Sequence, residues 1–312
     1  MEKYIQFYKD GKRTLFYQSS RGCPHRCTYC YNRVFNSGRW RARKADRILE
    51  ELAELKERYS LEAVFIWDDN FFIDHERAMK VIAGIKELGL KCLLHGADVE
   101  TLARMSDADL DFLEAAGVEG LAMGIESASE RVRRDILKKG GSLDLVRAQL
   151  ARFKGRGIDL TCFFILGFPS ETRAEMEKTI AFAMEVMSMG PNFHMERFFN
   201  FTPYPGTELY AELEKRGTSF PARLEDWGNY HWDYSRLQES DPATADFLER
   251  VATAGNFLDR VKDPFIKVNW LVGAMIALYR PIAWARLRTG ILRPMPELWV
   301  RRAFQRLTRP LK

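Results

Sequence analysis

The chain of 312 residues has few cysteines, no low-complexity segment and no apolar run long enough to cross a bilayer. Five cysteines are too few, and odd in number, for a disulfide scaffold. The amino-terminal stretch MEKYIQFYKDGKR carries charges where a secretory signal needs an apolar segment, so we expect a cytoplasmic protein. The hydrophobic content of 46% can nevertheless fill a sizeable core.

Positive charge is concentrated in the tail of the chain. The net charge is +5, but residues 280–312 contain nine Arg or Lys and a single acid, so the remainder is slightly acidic. A nucleic-acid enzyme more often carries basic residues around its active site. The overall charge therefore says little about the substrate.

Short apolar runs alternate with helical patterns between residues 14 and 200, which indicates parallel strands joined by crossover helices. Three of the helices are predicted to begin at the N-cap residues Asp74, Ser106 and Ser170. Six such units make an incomplete barrel or a doubly wound sheet, and both place their chemistry at the carboxyl ends of the strands. The six strands are predicted over residues 14–20, 63–69, 91–97, 120–127, 159–167 and 192–199.

We predict an α/β fold, a partial (β/α)6 TIM-like barrel with a C-terminal, mainly helical appendage. After about residue 205 the pattern changes to turns rich in Pro, Gly and Trp, and helical segments follow from about residue 243. The expected organisation is a lead-in over 1–13, the barrel over 14–215 and the appendage with its basic tail over 216–312.

Three cysteines crowd into eight residues directly after the first predicted strand. Cys23, Cys27 and Cys30 have spacings that let one loop fold around a [4Fe-4S] cluster. Three ligands leave one iron open to bind and activate another molecule, whereas a closed structural zinc site needs four. Structural zinc is the alternative, but His25 lies inside the loop and the other two cysteines lie in predicted strands.

This pattern resembles the CxxxCxxC signature of the radical SAM superfamily, including an aromatic residue, Tyr29, before the last cysteine. The resemblance spans most of residues 14–215 and implies that the three cysteines bind the cluster, with Tyr29 beside the cofactor. In that superfamily the open iron binds S-adenosylmethionine (SAM). One electron, from a donor of flavodoxin or ferredoxin type, then cleaves SAM to a 5′-deoxyadenosyl radical. A barrel lumen supplies the water-excluded cavity that such a radical needs.

Two further segments resemble cofactor-binding stations of the same family. Gly-Ile-Glu-Ser, ending at Ser127, implies that Glu126 and Ser127 hold the ribose or methionine part of SAM, although Glu126 could instead cap the next helix. Phe-Ile-Leu-Gly-Phe-Pro-Ser-Glu implies that Ile165 packs the adenine, with Gly167 beside it. Glu171, at the end of this segment, is either a cofactor contact or an acid at a helix start.

The segment Trp-Asp-Asp-Asn-Phe after the second strand resembles a subgroup that carries a cobalamin-binding domain ahead of the barrel. Asp69 would then reach the cofactor or the substrate, or else only cap the next turn. That domain needs roughly a hundred residues or more upstream, whereas this chain opens about a dozen residues before its first predicted strand. Cobalamin is therefore expected only through a separate subunit or a missing domain.

Other polar and apolar features leave two interpretations open. His95, His194 and Glu196 either face the lumen as proton-transfer groups or substrate ligands, or serve as core and rim residues. The uncharged run 268–279, followed by clustered arginines, suits either a helix lying on the inner face of an anionic membrane or a helical lid on the barrel.

The function predicted is SAM cleavage followed by methylation, rearrangement or oxidative remodelling of a small molecule, for which a hydrophobic substrate is one option. One alternative is a tRNA-modifying enzyme of the methylthiolating kind, but the basic β-barrel module and extra cluster cysteines of such enzymes are lacking, so nucleic acid is not the expected partner. The other is a non-catalytic iron-sulfur subunit or electron carrier, which would need neither an open iron nor a SAM pocket.

Overall fold

A computed structural model describes residues 2–8, 11–230, 241–259 and 270–299. Its main sheet has seven strands and curls into a half-barrel. Two short strands pair separately. In chain order the strands are β1 Ile5–Tyr8, β2 Lys12–Tyr17, β3 Ser20–Arg21, β4 Arg41–Ala42, β5 Ala63–Trp67, β6 Lys91–Ala97, β7 Val118–Glu126, β8 Asp159–Leu166 and β9 Phe193–Asn200.

The strand order of the main sheet is β1-β2-β5-β6-β7-β8-β9, and β3 pairs with β4. From β2 to β9 every neighbouring pair is parallel, which confirms the predicted partial barrel of six parallel strands. β1 adds an antiparallel edge strand through the pairing of Ile5 with Leu15. Parallel neighbours require crossover connections, and the helical segments between strands supply them.

Most helices follow strands along the chain and pack on the outer face of the sheet. They are α1 Asn32–Phe35, α2 Ala45–Tyr59, α3 His75–Glu87, α4 Val99–Ala103, α5 Asp107–Ala115, α6 Leu143–Phe153, α7 Arg173–Met187, α8 Glu208–Lys215, α9 Pro242–Gly255 and α10 Trp270–Thr289.

Helix starts follow local hydrogen-bond chemistry, with one exception to the prediction. Asp74 accepts a hydrogen bond from the backbone of Arg77, and Ser106 forms a capping box, so both predicted N-caps are confirmed. The prediction for Ser170 is wrong, because Thr172 caps α7. Ser170 instead has a φ of 61°, the left-handed conformation that usually favours glycine.

The two faces of the sheet differ in burial. Along β8, residues alternate between buried and partly exposed, because successive side chains point to opposite faces of a strand. On the outer face, Phe164 is fully buried and contacts Phe182 of α7. On the inner face, Phe163 and Ile165 stay partly exposed. The concave face is thus left accessible for a site.

The C-terminal helices extend the outer layer beyond β9. α9 packs against β9 and α10 packs against α9. Ala283 and Leu287 of α10 are buried, whereas Trp270 is 83% exposed. In the portion of the chain that the structure describes, no helix is both long and apolar enough to cross a membrane. Much of the predicted run 268–279 lies on α10, and residues 268, 269 and 300–312 lie outside the described residues.

Candidate active site

The cysteine loop leaves the carboxyl end of β2 and is anchored at once to β5. The backbone N–H groups of Ser19 and Ser20 donate to Asp68 Oδ1 at 2.7 and 3.0 Å, and the Ser19 hydroxyl donates to Oδ2 at 2.6 Å. Asp68 is only 1% exposed, so its charge is balanced by this set of donors rather than by water. The start of the loop is therefore fixed by a buried carboxylate.

Asp69 holds both ends of the cysteine loop. Its Oδ2 accepts a hydrogen bond from the backbone N–H of Gly22 at 2.7 Å, and its Oδ1 accepts one from the Tyr31 hydroxyl at 2.6 Å. Gly22 precedes Cys23 and Tyr31 follows Cys30, so one carboxylate closes the loop around the three cysteines. The structure places Asp69 at the site, with both oxygens engaged by the loop.

The middle of the loop docks on the opposite wall. Thr28 donates from its backbone N–H to Leu137 O at 3.0 Å and from its hydroxyl to Ile136 O at 2.6 Å. Its own carbonyl accepts from the backbone N–H of Leu209 at the start of α8. The loop therefore bridges β5, the π-helical turn Val132–Ile136 and α8.

The three cysteines are partly exposed, while Cys92 and Cys162 are fully buried. Burial raises the pKa of each loop thiol, that of Cys23 to about 11, so the folded loop favours neutral thiols until a metal displaces the protons. Asn70 Nδ2 lies 3.9 Å from Cys23 Sγ as a sulfur-directed donor.

The donor set fits an iron-sulfur cluster better than a single zinc ion. Across the described parts of the chain, only His25, Asp98 and Glu100 bring three potential ligand atoms within 4.8 Å of one another. The three loop sulfurs are more widely spread than a lone tetrahedral ion, with bonds of about 2.3 Å, would hold them. In a [4Fe-4S] cluster each cysteine binds a different iron, so the sulfurs are further apart than around a single ion. Three cysteines spaced in this way on one preformed loop therefore suit a [4Fe-4S] cluster.

His25 ties the loop to β6 and α4. Its Nε2 lies 3.3 Å from Asp98 Oδ2 and its Nδ1 lies 3.6 Å from Glu100 Oε2. The nearby Asp98 carboxylate raises the pKa of His25 despite partial burial, and the imidazole together with the donors of Asn70 and Thr101 holds the pKa of Asp98 well below its usual range despite burial. Asp98 also caps α4, so the imidazole is attached to a rigid helix start.

Glu126 faces the loop because the end of β7 is distorted. The pairing of β7 with β8 shifts register between Gly124 and Glu126, and Glu126 has a φ of 67°. Such a bulge re-aims a side chain. The Glu126 carboxylate accepts hydrogen bonds from the Tyr29 hydroxyl at 3.0 Å and from Lys139 Nζ at 3.3 Å. It does not cap the π-helical turn, which begins after Arg131.

Lys139 is a site residue that the sequence did not single out. Its side chain is 11% exposed. Burial alone would lower its pKa, but nearby negative charge, chiefly the Glu126 carboxylate, outweighs that effect, so the pKa of Lys139 lies above its ordinary value. The site therefore holds a fixed ammonium group beside the cluster loop. Within the run Lys138-Lys139 nothing local distinguishes this lysine from its exposed neighbour.

The other predicted cofactor contacts, Ser127, Ile165 and Gly167, differ in their surroundings. Ser127 is fully buried and lies 3.3 Å from the Thr179 hydroxyl, so its hydrogen bonds join β7 to α7. Ile165 packs with Tyr29 in a small apolar cluster beside the loop. Gly167 has a φ of 82° and donates its backbone N–H to Glu171 at 2.7 Å.

Glu171 lies at the start of α7, directly before its N-cap Thr172, and its carboxylate binds the turn at Gly167. Its Oε2 accepts the backbone N–H groups of Gly167 and Phe168, and its Oε1 is buried with no hydrogen-bond partner in the part of the chain that the structure describes. Burial raises the pKa of Glu171 to about 7.

His95 and His194, for which the sequence left two interpretations open, have different surroundings. His95 stacks on Trp67 with ring centroids 4.5 Å apart, at the inner face near the loop, and burial lowers its pKa. His194 lies between Asp259, at 3.1 Å, and Asp159, at 3.4 Å, near the amino end of the sheet. It joins β9 to the C-terminal helices and is separate from the cysteine loop. Glu196 pairs with neighbouring Arg197 at 3.4 Å.

Comparisons with known proteins agree with this geometry. The family model described as Radical SAM superfamily matches residues 17–183, more than half of the chain. An uncharacterized methyltransferase of Pyrococcus horikoshii is 31% identical over 214 residues, covering 67% of this chain and 43% of that protein. Cytidylyl-2-hydroxyethylphosphonate methyltransferase of Streptomyces wedmorensis is 28% identical over 229 residues, covering 70% and 42%.

An anaerobic magnesium-protoporphyrin IX monomethyl ester cyclase of Rubrivivax gelatinosus is 24% identical over 215 residues, covering 68% of this chain and 37% of that protein. The chain thus spans less than half the length of these relatives. In fold it is similar to the radical SAM methyltransferase TsrM of Kitasatospora setae, with a TM-score of 0.61 and 13% identity over 92% of this chain and 62% of that one. With a matching family model, a parallel half-barrel and a three-cysteine loop at its carboxyl edge, this chain belongs to the radical SAM superfamily.

Proposed function

We propose that the chain is the catalytic core of an enzyme that cleaves SAM reductively at a [4Fe-4S] cluster and then methylates or remodels a small molecule. The observation that carries the proposal is the attachment of the cysteine loop to Glu126 through Tyr29 and to β5 through Asp69. Cluster ligands and a charged pocket are thereby held at one edge of the sheet. The proposed core covers 14–215, with a lead-in over 1–13 and an appendage over 216–312.

In this proposal Cys23, Cys27 and Cys30 hold the cluster, which supplies one electron and an open iron when bound. The ammonium of Lys139 binds a carboxylate, and the carboxylate of Glu126 accepts hydrogen bonds from hydroxyl or ammonium groups. Together these two side chains are complementary to the amino-acid and ribose parts of SAM. Both are nearly buried, so their charges act on a ligand with little screening by water.

Apolar and backbone groups complete the proposed SAM pocket. Ile165 offers an aliphatic surface for the adenine, and the left-handed turn at Gly167 keeps the backbone close to it. The hydroxyl of Ser127 contributes by fixing the end of β7 against α7 and not by binding SAM. Asp69 contributes by closing the cysteine loop.

The reaction also needs partners from outside this chain. A one-electron donor of flavodoxin or ferredoxin type would reduce the cluster. One TsrM structure contains cobalamin and a [4Fe-4S] cluster, and we propose that cobalamin, if used here, is held by a separate subunit or by a domain outside this chain. Contact with the inner membrane face is proposed through α10, where Trp270, Met275 and Leu278 are exposed.

The test is anaerobic reconstitution of the chain with iron and sulfide, followed by dithionite and SAM and chromatography for 5′-deoxyadenosine. We expect about four irons per chain and cluster-dependent 5′-deoxyadenosine. Cys27→Ala should lose both, whereas the matched control Cys162→Ala, a buried cysteine away from the loop, should keep both. A reconstituted wild-type cluster that never cleaves SAM would overturn the proposal in favour of a non-catalytic iron-sulfur protein.

A further inference from the structure

Aromatic rings form a continuous row across the inner face of the half-barrel. Successive ring centroids along the row are 5.1, 5.0, 4.5, 5.8 and 5.9 Å apart, distances at which aromatic rings are in contact. The rings come from five of the six parallel strands, and β7 contributes none of them. Its members are Phe16, Phe65, Trp67, His95, Phe163 and Phe199.

Trp67 is the exposed centre of this row. It is the last residue of β5 and is 48% exposed, although it contacts two phenylalanines and His95. The ring of His95 lies nearly parallel to it, with an interplanar angle of 9°. The pair thus presents a broad, flat surface rather than an irregular apolar one.

The position of Trp67 connects this surface to the chemistry. Asp69, two residues later, accepts the backbone N–H of Gly22, which precedes Cys23. Trp67 therefore stands at the same edge of the sheet as the cysteine loop. The proposed SAM contacts Glu126 and Ile165 lie on β7 and β8, whereas Trp67 and His95 lie on β5 and β6.

The chemistry of the surface formed by Trp67 and His95 indicates which class of ligand it can bind. Exposed contiguous apolar patches on a protein usually mark a binding site. Aromatic faces gain most from another flat π-system in offset or edge contact. Burial lowers the pKa of His95, so its ring is neutral at neutral pH and would stack as an aromatic ring rather than attract an anion.

We infer that Trp67 and His95 form the substrate-binding wall of the lumen, and that the substrate presents a flat, unsaturated ring system to it. This inference rests on the proposed radical SAM function, because it assigns the substrate class of the same site. The radical is then generated beside a ring held in one plane, which selects the substituents at the edge of that ring that face the cluster loop.

The test is equilibrium binding of two matched probes to the full chain, without SAM or reductant. The flat probe is 1-pyrenebutyrate, and the saturated probe is cholanate, a four-ring steroid acid used as a competitor. We expect pyrenebutyrate to bind at least about tenfold more tightly than cholanate, and Trp67→Ala to weaken pyrenebutyrate by about tenfold. Trp67→Phe should recover most of the loss.

Trp270→Ala is the control, because Trp270 is an exposed tryptophan on α10 outside the sheet. Equal binding of the two probes, an unchanged affinity in Trp67→Ala, or an equal loss in Trp270→Ala would overturn the inference. 5′-Deoxyadenosine formation is measured separately on the same variants. If wild type binds the flat probe but never cleaves SAM, the proposed function fails while the binding wall stands; if it cleaves SAM but does not prefer the flat probe, only the wall fails.

Discussion

The hydroxyl of Tyr29 donates a hydrogen bond to Glu126 Oε1 at 3.0 Å. Tyr29 belongs to the cysteine loop and Glu126 to the end of β7, so this contact joins two segments 97 residues apart in the chain. The pKa of Tyr29 lies well above its ordinary value, chiefly through burial and then through the nearby Glu126 charge, so the phenol stays a donor. Cluster binding and the proposed SAM pocket are therefore mechanically connected.

Glu126→Ala should weaken SAM binding without removing the cluster. The substitution removes an acceptor and leaves Lys139 as a nearly buried, unpaired cation, so we expect a loss of about ten- to a hundredfold in SAM affinity. Isothermal titration and iron content on the same reconstituted sample measure the two effects. Unchanged affinity would show that the carboxylate serves the loop alone.

Lys139→Met should lower SAM affinity by a similar factor, because a charge-assisted hydrogen bond to the SAM carboxylate is worth about 1.5 to 3 kcal/mol. The matched control is Lys138→Met, whose exposed ammonium pairs with Glu208 at the surface. Equal losses in both variants would argue for a general charge effect. SAM binding is measured before any reductant is added.

From the raised pKa of Glu171 we predict that the free energy of unfolding decreases as the pH rises toward neutrality. Its pKa is about 7 in the folded chain against 4.5 as the ordinary value, so the folded state binds more protons and stability falls as pH rises from about 4.5 through 7. The full loss is on the order of 3 kcal/mol. In Glu171→Gln, the free energy of unfolding measured with denaturant should change less with pH over this range than in the wild type. An equally steep profile in the variant would show that Glu171 is not the group responsible.

From the raised pKa of His194 we predict a second decrease in the free energy of unfolding, at higher pH. Burial lowers its pKa, but hydrogen bonds to Asp159 and Asp259 outweigh burial and raise the pKa to about 9. The stabilisation is complete below about pH 6.5 and disappears as pH rises through 9, with a magnitude on the order of 3 kcal/mol. His194→Gln should remove this decline while leaving the window of Glu171 unchanged. SAM cleavage per cluster should stay constant, because His194 lies away from the loop.

Much of the fold could be predicted because strand signals were local. The predicted strand over 91–97 coincides with β6, since an apolar run ending at a polar loop suffices to define a buried parallel strand. β1 escaped prediction because Ile5–Tyr8 is only four residues long, and its stability comes from pairing with β2 at the sheet edge. Ser170 was a wrong N-cap because the capping box of Thr172 and Glu175 lies two residues further on.

The site was predictable to the extent that it follows a linear pattern. The cysteines and Glu126 stand in recognisable segments, whereas Lys139 reaches the site only because the chain folds back after the π-helical turn Val132–Ile136. The role of Asp69 in closing the loop likewise depends on the meeting of two strand ends. Contacts set by tertiary folding leave no local signature, which is why the sequence offered Asp69 as a cofactor or substrate contact or as the cap of the next turn, and not as the residue that closes the cysteine loop.

The hydrogen bonds that Asp69 accepts from Gly22 and Tyr31 affect how the cluster is assembled. A loop already closed by its own carboxylate loses little conformational freedom when iron arrives, so most of the binding free energy is retained as affinity rather than used to order the chain. Apoprotein and holoprotein should then share one backbone. Loss of the cluster to air or to a chelator becomes a reversible chemical event, repaired by refilling the loop and not by refolding the protein.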